Sequence, residues 1–466
     1  MIFSIEEVLR ATGGRLIQGG KGALFQGIST DSRKVGQGEL FIALKGACFD
    51  GHQFVLEALK KKAGGVVIEE DKVGDIRWNG NRSKAVIVVK DTLRALGDLA
   101  HDRRRKYRTP VVALTGSNGK TTTKEMISAC LQTTFPLLKT MGNLNNLIGL
   151  PLTLLNLTEK ERVVVLEMGM NVPGEVRRLT EITEPDVGLI TNIQKVHLEG
   201  MGSIERLEEE KGELFRRMRQ NGTILVNQDD PRVIHQAREF SGQKITFGIE
   251  NPSDVMAKEI QLRGAQGTSF TLILEGELVE IMLPLLGRHF VPNALSAVAV
   301  ASLFGIELKK IKEALEHFQP FPMRMEIIHL GGEITLINDA YNANPRSMEL
   351  GLETLSEVKG KGRAIAVLGD MLELGNFAEE AHEQIGQKVR ELSIDLLLTL
   401  GEWAPVVVES AIRHGFPPEK ARVVESHLEA TSILKQWIRE GDWILVKGSR
   451  GMGMEKIIEG LTERGA

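Results

Sequence analysis

The sequence predicts an α/β protein of three domains. Residues 1–108 form a small N-terminal α/β domain. Residues 109–320 form a central domain built on a doubly wound, mostly parallel sheet with a phosphate loop. Residues 321–466 form a Rossmann-like C-terminal domain. Three observations predict this. The chain has 466 residues, enough for about three domains. Apolar runs of strand length alternate with helical patterns through the second and third blocks, as parallel strands covered on both faces do. One run, Val111-Val112-Ala113-Leu114-Thr115, ends in Gly116-Ser117-Asn118-Gly119-Lys120-Thr121-Thr122, a glycine-bearing turn that opens a helix.

The elements follow in order. Ser4 stands three residues before Glu7, the spacing of a capped helix start. Strands are expected at 39–44, 65–68 and 85–89, with a helix over 52–63. The basic run 101–108 (HDRRRKYR) reads as a solvated helix end beside a domain boundary. In the central block, strands are expected at 111–114, 163–168, 187–190 and 224–226, and a β-rich piece at 255–284. A highly charged helix covers 203–218 and an alanine-rich one covers 291–303. In the last block, strands at 334–337, 364–368, 396–400 and 443–446 alternate with helices, without a second Gly-Lys-Thr loop.

Composition limits the function classes. Apolar residues make up 42% and charged ones 26%, ordinary for a soluble globular chain. The net charge of −4 gives no global field that favours nucleic acid. Cys48 and Cys130 are far apart and lack metal-type spacing, which suits a reducing cytoplasm. No apolar stretch has spanning length and no signal-like run appears, so a cytoplasmic protein without membrane insertion is expected.

Several residues sit where chemistry is expected. Backbone N–H groups of the 116–122 turn and the following helix N-terminus suit an anion, with Lys120 adding charge. Thr121 stands where a hydroxyl holds Mg²⁺. The full phosphate-loop pattern wants glycine at 114, where this chain has leucine. Glu167 ends a buried-type strand, at the edge where open α/β sheets bind ligands. His197 follows the next strand; its imidazole suits a metal or a phosphate, or a structural role. Asn143, Asn145 and Asn146 offer amides to a polar ligand, or form a turn-rich loop. Asp339, Tyr341, Asn342 and Asn344 follow a strand, and Asn344 with Pro345 also suits a helix cap. Lys447, Ser449 and Arg450 follow the last strand on an electropositive loop suited to carboxylate or phosphate. Lys211 lies in Glu-Glu-Glu-Lys-Gly-Glu and reads by composition as a solvated partner of helical ion pairs.

Taken together, Thr115 to Thr122, 142–146, Glu167-Met168-Gly169, 197–200, Asn293-Ala294, Arg324 and Asp339-Ala340-Tyr341-Asn342-Ala343-Asn344-Pro345 resemble the Mur ligase family. The run at 339–345 points to the branch that joins D-alanyl-D-alanine to UDP-N-acetylmuramoyl-tripeptide. The resemblance implies an ATP-dependent ligase of peptidoglycan synthesis, working through an acyl phosphate with two Mg²⁺ ions. It implies UDP-side contacts at Ser29, Asp31, Ser32, Arg33 and Lys45 in the first domain. ATP contacts are implied at Gly116, Ser117, Asn118, Gly119, Lys120, Thr121, Thr122, Asn293, Arg324 and Asp339. It gives Lys211 a different standing, as a carbamylated lysine that ligates a second Mg²⁺ with His197. A monomer acting on these small-molecule substrates is expected. The rival readings are a sister ligase that adds a single amino acid and a phosphate-loop ATPase switch.

Overall fold

The computed structural model describes residues 2–46, 49–76, 84–194 and 202–462. The central sheet has nine strands. In spatial order they are Glu277–Leu283, Thr268–Leu274, Val255–Leu262, Gln243–Gly248, Thr223–Asn227, Val187–Ile190, Val111–Thr115, Val163–Glu167 and Leu137–Lys139. Seven run parallel, from 137–139 through 255–262; the other two add an antiparallel hairpin edge. Strand Val111–Thr115 is the first in sequence and lies between Val163–Glu167 and Val187–Ile190. That is a topological switch point, and the crevice beyond its carboxyl end is where such sheets bind ligands.

The inner strands are apolar and buried along their whole length because helices cover both faces. The helix Val291–Leu303 is apolar almost all round because it is buried almost all round, wedged between the sheet and helix Lys120–Gln132. Its alanines keep the two helices close.

The N-terminal domain has a five-stranded sheet in the order Arg15–Gln18, Ala85–Val89, Gly65–Glu69, Leu40–Ile42 and Ile28–Ser29. Helix Ile5–Thr12 starts with the reciprocal Ser4–Glu7 capping box. The C-terminal sheet has six strands, in the order Glu326–Gly331, Ile334–Asp339, Trp443–Lys447, Ala364–Gly369, Leu396–Leu400 and Ala421–Val424. Its first two strands form a hairpin across Gly332 and Glu333, both at positive φ (55° and 57°). Short strands such as Arg15–Gln18 and Ala421–Val424 carry too few residues to show a period, and only pairing reveals them.

The basic run at 101–108 departs from its expected solvated role. It ends helix Thr92–Lys106, and Arg103 and Arg104 are only 6% and 5% exposed. Arg103 lies over the rings of Phe3 and Tyr107 and donates to the carbonyl of Leu157. Arg104 donates to the carbonyls of Thr183 and Tyr107 and pairs with Asp186 at 2.9 Å. Buried positions on this helix recur as Ala95, Leu96, Leu99, Ala100, Arg103 and Arg104. The two arginines therefore continue the buried stripe, their charge met by carbonyls and one carboxylate.

Candidate active site

The carboxyl edge of the central sheet faces a cleft of about 780 Å³, closed on its far side by the C-terminal domain. The phosphate turn forms one wall. Gly116 sits at φ 148°, and a Cβ there would lie 1.9 Å from the Thr191 hydroxyl. Gly119 sits at φ 80°, against the Asn293 amide. Both positions need glycine. No side chain caps helix Lys120–Gln132, which leaves its first N–H groups for an anion. The turn is held from outside: Asn118 N–H donates to Asn192 Oδ1 (3.0 Å), Asn118 Nδ2 to Gln194 Oε1 (2.8 Å), and Thr191 Oγ1 to Asn118 O (2.7 Å). Ser117 exchanges hydrogen bonds with the Gln194 backbone. Thr122 is buried on the helix.

Lys120 folds back onto the carbonyls of Gly116 (2.8 Å) and Ser117 (3.1 Å). Burial in the cleft wall holds its amine below the ordinary lysine range, and nearby Arg324 adds to this while Glu167 opposes it. Glu167 is 2% exposed. One oxygen accepts from Asn145 Nδ2 (2.8 Å) and the Thr121 hydroxyl (3.3 Å); the other has no hydrogen-bond partner. The nearest cation to that second oxygen is the fully buried Lys124, 3.8 Å away, which is itself engaged by Thr140 O and Glu125. Asn143 and Asn146 also line the cleft, and Asn146 accepts the N–H groups of Ile148 and Gly149 at the start of helix Gly149–Leu154.

Lys211 is not a solvated lysine. It is 1% exposed and donates to Gly116 O at 3.0 Å. Burial drives its amine well below the lysine range; the Lys120 charge pushes the same way and Glu210 opposes them. Glu210 is committed elsewhere, accepting the N–H groups of Gly174 and Val176. The sequence carried a signal for this. Leu207, Glu210, Lys211, Leu214 and Phe215 fall on one helical face of Ile204–Arg217.

The C-terminal domain supplies the opposite wall. Arg324 reaches the Thr121 hydroxyl at 3.3 Å, and its guanidinium lies 4.1 Å from the Tyr341 ring centroid. Asn344 caps helix Pro345–Val358, with Pro345 in its first turn, and also donates to Asn118 Oδ1 at 2.7 Å. Asp339 accepts from Met325 N (3.2 Å) and Lys447 (2.5 Å), and Lys447 also donates to Asn342 O.

After the last strand, the candidates Lys447, Ser449 and Arg450 each have partners within the C-terminal domain, and Lys447 lines the cleft. Lys447 is buried against Asp339. The Ser449 hydroxyl bonds Ala343 O and Leu372 N, and Arg450 pairs with Glu455. The local charge is met within the domain, by Asp339 at the end of the neighbouring strand and by Glu455 at the start of helix Glu455–Thr462. His197 lies outside the described residues.

The five N-terminal candidates stand apart from this cleft. Arg33 holds Asp31 at about 2 through paired hydrogen bonds. Ser29 bonds the Asp31 backbone, Ser32 is buried, and Lys45 bridges to Asp50. Sequence reasoning passed over Thr191, Asn192 and Gln194, the cradle of the turn, His289 on the central domain's side of the cleft, and Arg346 in the opposite wall. Only Thr191-Asn192 following an apolar strand hinted at the cradle.

Comparison with known proteins agrees with this geometry. The model of the Mur ligase family catalytic domain matches residues 24–104, the Mur ligase middle domain 114–301, and the glutamate ligase domain of Mur ligases 323–450. The chain is 38% identical, over 94% of each chain, to the UDP-N-acetylmuramoyl-tripeptide–D-alanyl-D-alanine ligase of Bacillus subtilis. It is 36% identical, again over 94% of each, to the Escherichia coli enzyme of that name. A crystal structure of MurF from Acinetobacter baumannii superposes with a TM-score of 0.90 at 32% identity, over 100% of this chain and 99% of that one. MurF ligase from Thermotoga maritima, in complex with ADP, gives 0.84 at 27% identity, over 94% and 97%. The phosphate turn, the cleft opposite it and the three-domain match together make this chain a member of the Mur ligase family.

Proposed function

We propose that the chain is an ATP-dependent ligase joining D-alanyl-D-alanine to UDP-N-acetylmuramoyl-tripeptide, with ADP and phosphate as co-products. The observation that carries this is the cleft: a phosphate turn on one wall and Arg324, Asp339 and Asn344 on the other. Its support is the full-length likeness to ligases of that name. Ser29, Asp31, Ser32, Arg33 and Lys45 are assigned to the UDP end, domain 109–320 to ATP and domain 321–466 to the dipeptide. Asn293, beside Gly119, is assigned to the adenine side.

The tripeptide carboxylate attacks the γ-phosphorus of ATP, forming an acyl phosphate and releasing ADP. The dipeptide amine then attacks the acyl carbon, and phosphate leaves as the amide forms. Lys120 and the free helix N–H groups offset the charge spread over the transferred group. Arg324 joins them from across the cleft, so closure of the C-terminal domain completes the site and keeps water from the acyl phosphate. Asn143, Asn145, Asn146, Tyr341 and Asn342 present polar groups to the substrates between the walls.

The residues fit a magnesium ion. Glu167 keeps one buried oxygen without a hydrogen bond, 2% exposed, and the Thr121 hydroxyl touches the other. Among the described residues no group of three His, Cys, Asp or Glu gathers, which suits an ion held by few protein oxygens plus phosphates. Thr121 and Glu167 would hold one ion and His197 with Lys211 a second, their charge offsetting the repulsion between carboxylate and phosphates. Burial favours the neutral amine of Lys211, which is the form that takes up CO₂.

No described helix is long and apolar enough to cross a membrane. With both walls of the cleft in one chain, a cytoplasmic monomer is the working assignment. The test is phosphate release from ATP and Mg²⁺ with UDP-muramyl tripeptide, with and without D-alanyl-D-alanine. Release that needs both, with a pentapeptide product by mass, is expected. Release with neither would make the chain a generic ATPase, and release only with a single amino acid would make it a sister ligase.

A further inference from the structure

We infer that Lys447 is a positioning residue for Arg324, acting through Asp339, and not a ligand of the incoming dipeptide; this rests on the ligase reading above. Asp339 and Lys447 are register partners at the carboxyl ends of neighbouring parallel strands. Their side chains therefore leave the sheet at the same place. The Lys447 side chain is 2% exposed, with its ammonium on Asp339 Oδ2 (2.5 Å) and Asn342 O (3.0 Å). Two of its three donors are thus spent inside the domain.

The other oxygen of Asp339 accepts the Met325 N–H at 3.2 Å. That bond anchors a turn with two non-glycine residues at positive φ, Met323 at 60° and Met325 at 51°. Each such residue costs about 1 kcal/mol or more and persists only where its surroundings hold it. Here the holds are Asp339 on Met325, Glu326 on the Met323 N–H (3.0 Å), and the Tyr341 N–H on Met323 O (3.1 Å). The residue between the two is Arg324. The strained turn aims it over Tyr341 and at Thr121, and leaves its Nε buried without a partner.

Lys447 thus neutralises the carboxylate that holds the turn. Without it, the partly buried Asp339 carboxylate loses the cation bonded to its second oxygen. The carboxylate is then free to turn into the cleft or toward solvent. Either change loosens the Met325 anchor, relaxes the turn and withdraws Arg324 from the phosphate side.

The test compares Lys447→Met, Arg324→Ala and their combination in the full chain. Steady-state kinetics are run for all three substrates, and ATP affinity is measured by calorimetry. Lys447→Met should lower kcat/KM for ATP by about a hundredfold while the dipeptide KM stays within about twofold. Adding Arg324→Ala should then change little, because the two act as a unit. A selective rise in dipeptide KM, or effects that multiply, would overturn the inference. If Lys447→Met fails to melt cooperatively, Lys447→Arg carries the same comparison, since it keeps the charge and alters the reach. If the unmodified chain shows no dipeptide-dependent release, the ligase reading fails alone. The ATP affinities still decide the positioning role, non-additive losses supporting it and additive ones refuting it.

Discussion

The central domain meets its two neighbours in different ways. Toward the N-terminal domain the seam is closed helix packing, with the Arg178–Asp98 and His101–Glu184 ion pairs across it. Helix Thr92–Lys106 packs along helices Gly149–Leu154 and Glu175–Thr183, and Leu96, Leu99, Leu150, Leu154, Val176 and Leu179 share one apolar cluster. Arg103 and Arg104 cross it with every donation ending on a carbonyl or carboxylate. Toward the C-terminal domain the seam surrounds the cleft: Arg324 on Thr121 and Asn344 on Asn118 cross it as hydrogen bonds, and an apolar cluster shared by Phe290, Leu295, Met348 and Leu352 backs it. Apolar burial holds surfaces together without direction, while a few polar contacts around a cavity leave room for a ligand to complete the fit. The first seam fixes the scaffold and the second carries the chemistry.

Substitutions at the two seams should therefore separate stability from activity. The largest effect is expected at the cleft. Lys120→Ala should cut dipeptide-dependent turnover by about a thousandfold with an unchanged melting temperature. Near-normal turnover would remove the phosphate turn from the chemistry. Arg104→Ala should do the reverse. It leaves Asp186 with the Val111 N–H alone and takes the donor from the Thr183 and Tyr107 carbonyls, and should cost about 2–3 kcal/mol in chemical denaturation while KM for ATP holds. Equal stability would mean the seam does not depend on its buried cations.

Asn344 tests whether a contact across the cleft matters apart from local structure. Asn344→Ser keeps a capping side chain, so it should retain stability that Asn344→Ala loses by about 1 kcal/mol. Both should raise KM for ATP, since neither reaches Asn118. A normal KM in both would reduce the contact to a by-product of capping.

The last comparison concerns pH. His289, in the cleft wall, is pushed from 6.5 to about 3 by burial, then by Lys447 and Arg346. Between those values the unfolded chain binds a proton at this residue that the folded chain does not. Stability contributed here is full above pH 6.5 and is lost as pH falls toward 3. His289→Gln should flatten that part of the stability profile, measured by denaturation midpoints across the window. An unchanged slope would show that the imidazole titrates normally.

How much of this was legible beforehand depends on distance along the chain. The strand Val111–Thr115, its turn and helix Lys120–Gln132 were readable because neighbouring residues supply all of their logic. The capping box at Ser4 and the Asn344-Pro345 cap were readable for the same reason. Arg103 and Arg104, and Lys211 when read by composition alone, were misjudged because charge was weighed before periodicity. All three lie on the buried stripes of their helices, with long apolar stems that can be buried when the head finds a partner.

By itself the sequence determined the α/β alternation, the phosphate turn and the strand-end positions of Glu167 and Asp339, since backbone geometry and side-chain period act over a few residues. Tertiary structure alone decided what those strand ends meet. Lys447 finds Asp339 at a separation of 108 residues, Arg324 finds Thr121 at 203, and Asn344 finds Asn118 at 226. Strand order in the sheets and the docking of one domain on another set these pairings. No local pattern encodes them, because a side chain's partner across a cleft is fixed by the packing of everything between.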